Sequence, residues 1–140
     1  VLDRLGLQSL GVEEDSTLVQ ELFNVLHETQ VPFEQFFFDL FGGPLLPRVQ
    51  RAVMAGPAKE HYAGPHWEEL GALLEAFEPT EHARVFDREG PCTMLIEEVE
   101  NIWEAIAYRD DFEPFERKVL DIRDAGASYG LARPSDVALP

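Results

Sequence analysis

The sequence predicts an all-α protein, a compact bundle of about five to seven short helices ending in an antiparallel helical hairpin and a mobile tail. Three observations predict it. Every periodic apolar segment repeats at the 3.6-residue spacing of a helix face, none alternates at a period of two, and Pro and Gly fall where those segments begin and end. On this reading residues 1–130 are one helical domain and 131–140 a flexible tail.

Composition bounds the rest. A hydrophobic fraction of 45% with ten Phe is enough apolar material for a core and excludes a disordered acidic segment. The net charge of -16 repels phosphate backbones and anionic headgroups, so neither nucleic acid nor a membrane surface is an expected partner. A solvated surface is the ordinary meaning of such charge, and a patch for a basic partner is the sharper one. Cys92 is the single cysteine and has no internal disulfide partner, which makes a cytoplasmic setting the default. No apolar run approaches the roughly 20 residues needed to span a bilayer, and no basic stretch leads into an apolar one near the start. The chain opens on Val1 rather than Met, as expected of an excised fragment or a processed product.

Residues 1–15 read as an irregular or short helical lead-in, broken by Gly6 and Gly11. The first firm helix is expected to start at a Ser16 or Thr17 cap, with Gln20 completing a capping box. Leu18, Leu22, Val25 and Leu26 follow at helical spacing, and the helix should end near Thr29. Pro32 suits the first turn of a second helix, in which Phe33, Phe36, Phe37, Leu40 and Phe41 form one stripe and Gly42-Gly43 the stop. Phe38 falls off the stripe. Either that helix is buried on more than one side, or Phe38, Phe41, Gly42 and Gly43 form a docking surface for something outside the segment.

A third helix is expected from Pro47 to Ala55, stopped by Gly56, with Arg48 and Arg51 pairing to carboxylates. After a loop from Gly56 to Pro65, Trp67, Leu70, Leu74 and Phe77 mark a fourth helix ended by Pro79. Residues 79–92 read as a long connection with one helical turn. The clearest helix runs from Thr93 or Met94 to Tyr108, with Leu95, Val99, Ile102 and Ile106 on one face. A last helix carries Phe112, Phe115, Val119 and Ile122 and stops before Gly126. The short connection between these two helices favours antiparallel packing over residues 94–124.

Few residues of the chain fall in a pattern that carries chemistry. Neither Glu-x-x-His nor His-Glu-x-x-His occurs, and one cysteine makes no thiolate cluster, so no metal site is expected. His61 and His66, five apart across a Gly-Pro loop, read as ordinary loop histidines. Glu100 and Glu104 lie one turn apart but opposite the apolar stripe, where a solvated face outweighs an acid-base pair. Cys92 lacks a base tied to it by any motif and reads as a small apolar residue. Gly42-Gly43-Pro44 lacks the Lys and the spacing of a phosphate loop. No catalytic, cofactor-binding or metal-ligating residue is therefore expected.

Two stretches go beyond helix pattern. Phe33-Glu34-Gln35-Phe36-Phe37-Phe38-Asp39-Leu40-Phe41-Gly42-Gly43 is one, and Met94-Leu95-Ile96-Glu97-Glu98-Val99-Glu100-Asn101-Ile102-Trp103, continuing through Arg109-Asp110-Asp111-Phe112 to Phe115-Glu116, is the other. Both resemble the C-terminal part of the SelO (YdiU) family of kinase-like protein adenylyltransferases, over about residues 1–130. The resemblance implies that a parent protein transfers AMP from ATP, with magnesium, to protein hydroxyl side chains. It implies further that this segment packs on the kinase-like N-terminal region of the same chain and meets protein substrates. The family's nucleotide-clamping and metal-binding residues precede the segment, so none is carried over, and its redox-active C-terminal cysteine or selenocysteine has no counterpart in Gly130 to Pro140. The rival expectation is an autonomous acidic helical module that binds a basic partner.

Overall fold

A computed structural model describes residues 1–131 as eight α-helices and one 3-10 turn, with no β-strand among the described residues. The helices are α1 (Leu2–Leu5), α2 (Val12–Thr29), α3 (Phe33–Leu40), α4 (Pro47–Ala55), α5 (Pro65–Leu74), α6 (Glu81–Arg84), α7 (Ile96–Arg109) and α8 (Glu113–Ser128). The all-α expectation holds, and the count exceeds five to seven because α1 and α6 are single turns of four residues. Packing divides the chain into two compact units, Val1–Phe86 and Asp87–Pro140, where the sequence suggests one domain. The tail expected to be mobile lies outside the described residues, apart from Leu131.

In the first unit α2 begins at Val12, four residues ahead of the expected Ser16 cap. Glu13, Glu14 and Asp15 fill its first turn, where the helix dipole favours carboxylates. Asp15 also reaches back to accept from Ser9 Oγ at 2.5 Å and from the Leu10 N–H at 3.1 Å. The carboxylates thus do the work assigned to the Thr17-Gln20 box, and Thr17 sits mid-helix with its hydroxyl on the Glu13 carbonyl. The helix ends at Thr29 as expected, on Gln30 in the left-handed region.

Helices α2 and α5 pack directly on one another, and Leu18, Leu22, Val25, Leu70 and Leu74 are buried with Phe36 of α3 in one core. The α5 helix stops at Leu74, short of the expected Phe77. The reason lies in the chain's return to its N-terminus. Gln8 N–H donates to the Glu78 carbonyl at 2.9 Å and Thr80 N–H to the Gly6 carbonyl at 2.8 Å, around an isolated antiparallel bridge between Leu7 and Pro79. Turns at Ala76 and Phe77 swing the Phe77 ring into the core before that pairing begins.

The second unit contains the antiparallel hairpin of α7 and α8, reversed at Asp110, which takes the left-handed conformation at φ 52°. Glu98 caps α7 by accepting from the Leu95 N–H at 3.1 Å and from Thr93 Oγ1 at 2.7 Å. Its other oxygen holds Lys118 Nζ of α8 at 3.0 Å. The α8 helix runs through Gly126 to Ser128 instead of stopping before it. A mid-helix glycine costs about 1 kcal/mol relative to alanine, which the flanking turns sustain.

Candidate functional site

The docking surface expected at Phe38, Phe41, Gly42 and Gly43 lies at the end of α3 and in the turn after it, and all four residues are buried. Phe38 is 6% exposed. Its ring and that of Phe41 pack on Phe86 with centroids 5.8 and 4.6 Å apart. The Arg48 guanidinium lies 4.9 Å from the Phe38 centroid and 4.8 Å from that of Phe86. It also donates to the Phe38 carbonyl at 2.8 Å and the Phe41 carbonyl at 3.0 Å, closing acceptors that the helix end leaves open. Of the two readings of Phe38, burial on more than one side is the one the structure bears, and an exposed surface there is corrected. Phe86 supplies the missing partner from a stretch whose sequence shows no periodicity.

Exposed apolar surface lies instead on the hairpin. Ile96, Val99 and Trp103, at i, i+3 and i+7 on α7, are 73%, 45% and 67% exposed, and Met94 and Leu95 before them are exposed too. On α8 Phe115, Leu120 and Ile122 are exposed, with Phe112 just before the helix. Of the stripe that the sequence assigns to a core face, Leu95 and Val99 are exposed while Ile102 and Ile106 are half-buried, and among the described residues small ones, Ala105 and Ala125, are the buried apolar residues of this unit. A contiguous run of large apolar side chains in water marks an interaction surface. Glu100 and Glu104 are both exposed, in keeping with a solvated face.

Two polar clusters complete the chemistry. In the first unit the Glu21 carboxylate, 7% exposed, accepts from Asn24 Nδ2 at 2.8 Å and faces His66 Nδ1 at 2.5 Å. Burial pushes the Glu21 carboxyl up, but the hydrogen bonds from Asn24 and His66 outweigh it and leave it below the ordinary value. The hydrogen bond to Glu21 raises His66, against a smaller opposing effect of burial, and the charges of Glu21, Glu28 and Glu69 add to the rise. His61 rests its Nδ1 against the Thr29 carbonyl at 2.9 Å. His66 is therefore no ordinary loop histidine, a fact hidden in the sequence because Glu21 lies 45 positions away.

In the second unit Arg88 bridges Asp121 and Asp124 of α8 at 2.6 Å each. Cys92 neighbours this network, and burial followed by Asp121 pushes its thiol up, away from the thiolate a nucleophile needs. Arg4, Arg84, Arg88, Arg117 and Lys118 each hold a carboxylate.

The Glu98 cap gives a pH prediction. Hydrogen bonds from Thr93, Lys118 and the Leu95 N–H hold Glu98 below its ordinary 4.5. A lowered carboxylate contributes stability that is fully present above the unfolded value and is lost as pH falls through the folded one. The stability gap between the wild type and Glu98→Gln, from chemical denaturation, is expected to be constant at neutral pH and to shrink below about pH 4.5. A gap unchanged down to the acid end contradicts the cap.

Among known families, the one described as protein adenylyltransferase SelO matches residues 1–123. The chain belongs to the SelO family. No curated protein and no solved structure matches it significantly. The SelO match covers both aromatic stretches that carry the resemblance, the buried α3 segment and the exposed α7 face. No helix among the described residues of this SelO chain is long and apolar enough to cross a membrane.

Proposed function

We propose that this chain is the non-catalytic C-terminal helical part of a SelO-type protein adenylyltransferase and packs on the kinase-like region of the same protein. That region holds ATP and magnesium and transfers AMP to protein hydroxyls, and the helical part shapes or supports it. The observation that carries the reading is the uncovered apolar face of the hairpin, centred on Ile96, Val99 and Trp103. Fully burying an exposed side chain of this kind is worth about 1.5–3 kcal/mol, and docking recovers the part of it that these three, still 45–73% exposed, forfeit in water. A basic partner would call for an acidic face, whereas this one is apolar.

Calorimetric titration of the chain with ATP and magnesium tests the non-catalytic half of the proposal. A flat trace is expected, together with no AMP transfer to protein substrates by the chain alone. Micromolar ATP binding would overturn it.

A further inference from the structure

His66 is the second residue of α5, placed there by Gly64 at φ 100° and Pro65, and Glu69 follows three positions on, over the same face of the helix. Glu21 approaches from α2. One donor atom of each of the three residues lies within 4.8 Å of the other two. The Glu21 carboxylate is buried and oriented by Asn24, while Glu69 is exposed and His66 half-buried. A rigid inner ligand with two adjustable outer ones results.

We propose that Glu21, His66 and Glu69 form a binding site for a zinc-like divalent transition-metal ion that ties α2 to α5. Tetrahedral zinc, with bonds of about 2.0–2.2 Å, sets its donors about 3.3–3.6 Å apart, so the 2.5 Å contact of His66 with Glu21 has to open and Glu69 to swing in, adjustments that rotation of His66 and Glu69 supplies while Glu21 stays in place. No Lys or Arg pairs with Glu21 or Glu69 among the described residues, and His66 is the one partner that faces the Glu21 carboxylate as an ion pair there. One imidazole nitrogen with two carboxylate oxygens suits zinc and its neighbours, whereas magnesium demands an octahedron of oxygens and keeps its water. Three protein donors leave the fourth position to a water molecule. Asn24 acts as the outer-shell partner that fixes the Glu21 carboxylate. The site is independent of the docking reading.

The test is calorimetric titration of the metal-free chain with zinc chloride and, separately, with magnesium chloride, alongside melting curves with and without zinc. The wild type is expected to bind one zinc ion and to melt higher with it, and magnesium to do neither. His66→Ala should weaken binding by more than the roughly tenfold to hundredfold that loss of an outer-shell partner costs, and should abolish the rise in melting temperature. Glu69→Gln, at an exposed position, keeps the test open if His66→Ala unfolds, and is expected to weaken zinc binding at least as much. His82→Ala, an exposed histidine on α6, should change nothing. Absence of zinc binding up to millimolar concentration overturns the proposal. So does zinc affinity that survives both His66→Ala and Glu69→Gln, or magnesium binding as tight as that of zinc.

Discussion

Changing Phe38 to Ser is expected to destabilise the chain by about 3–5 kcal/mol, a fall on the order of 10 °C or more in melting temperature. The ring is 6% exposed, seated between Phe86 and the Arg48 guanidinium. Its removal empties a space that the rigid turn at Gly42 and Gly43 cannot refill. Gly42 holds φ at 99°, and a Cβ there would stand 2.3 Å from Leu46 Cδ1, so the backbone has little room to collapse. The serine hydroxyl adds a buried polar group. Melting followed by circular dichroism reads the loss. A shift within a degree or two would place Phe38 outside the core and restore it as a docking residue.

The second large effect is expected at the buried carboxylate of α3. Asp39 is 1% exposed, and its two oxygens accept from Tyr62 Oη at 2.6 Å and Gln35 Nε2 at 2.8 Å. Burial, followed by this hydrogen bond to Asp39, pushes the Tyr62 phenol well above its ordinary value, so it remains a donor across the working pH range. Tyr62→Phe removes one of the two donors from a dry carboxylate and should cost about 2–4 kcal/mol. Asp39→Ala should cost a similar amount by leaving the phenol and the Gln35 amide unpaired. Because both variants break one contact, the double variant is expected to cost clearly less than their sum. Additive losses in denaturant unfolding would mean that the pair does not act as a unit.

Helix positions were legible where a local physical cause sets them. Pro47 and Gly56 bracket α4 within a nine-residue helix, and Pro32 and the Gly42-Gly43 pair bracket α3, because proline at a first turn and glycine after a last one act through the backbone alone. Boundaries set by distant partners were not legible. The early start of α2 depends on Asp15 folding back over Ser9, and the early stop of α5 on the pairing of residues 78–80 with 6–8. The polar sites show the same limit. Glu21 with His66 and Asp39 with Tyr62 join positions 45 and 23 apart, which no spacing rule connects. The hairpin was legible as amphipathic, but not that Ile96 and Trp103 stay uncovered while Ile102 and Ile106 are half-buried, since periodicity shows which side chains share a face and never what that face meets.

Docking is measured most directly by titrating the kinase-like region of the parent protein with this chain. The wild-type chain is expected to bind, and Ile96→Ser with Trp103→Ser to weaken binding by at least roughly tenfold, since each loses more than about 1.4 kcal/mol of apolar burial. The variant should keep its helical circular dichroism, because both side chains are already exposed in the chain itself. No binding by the wild type, or equal binding by the variant, would contradict a hairpin that packs on the kinase-like core.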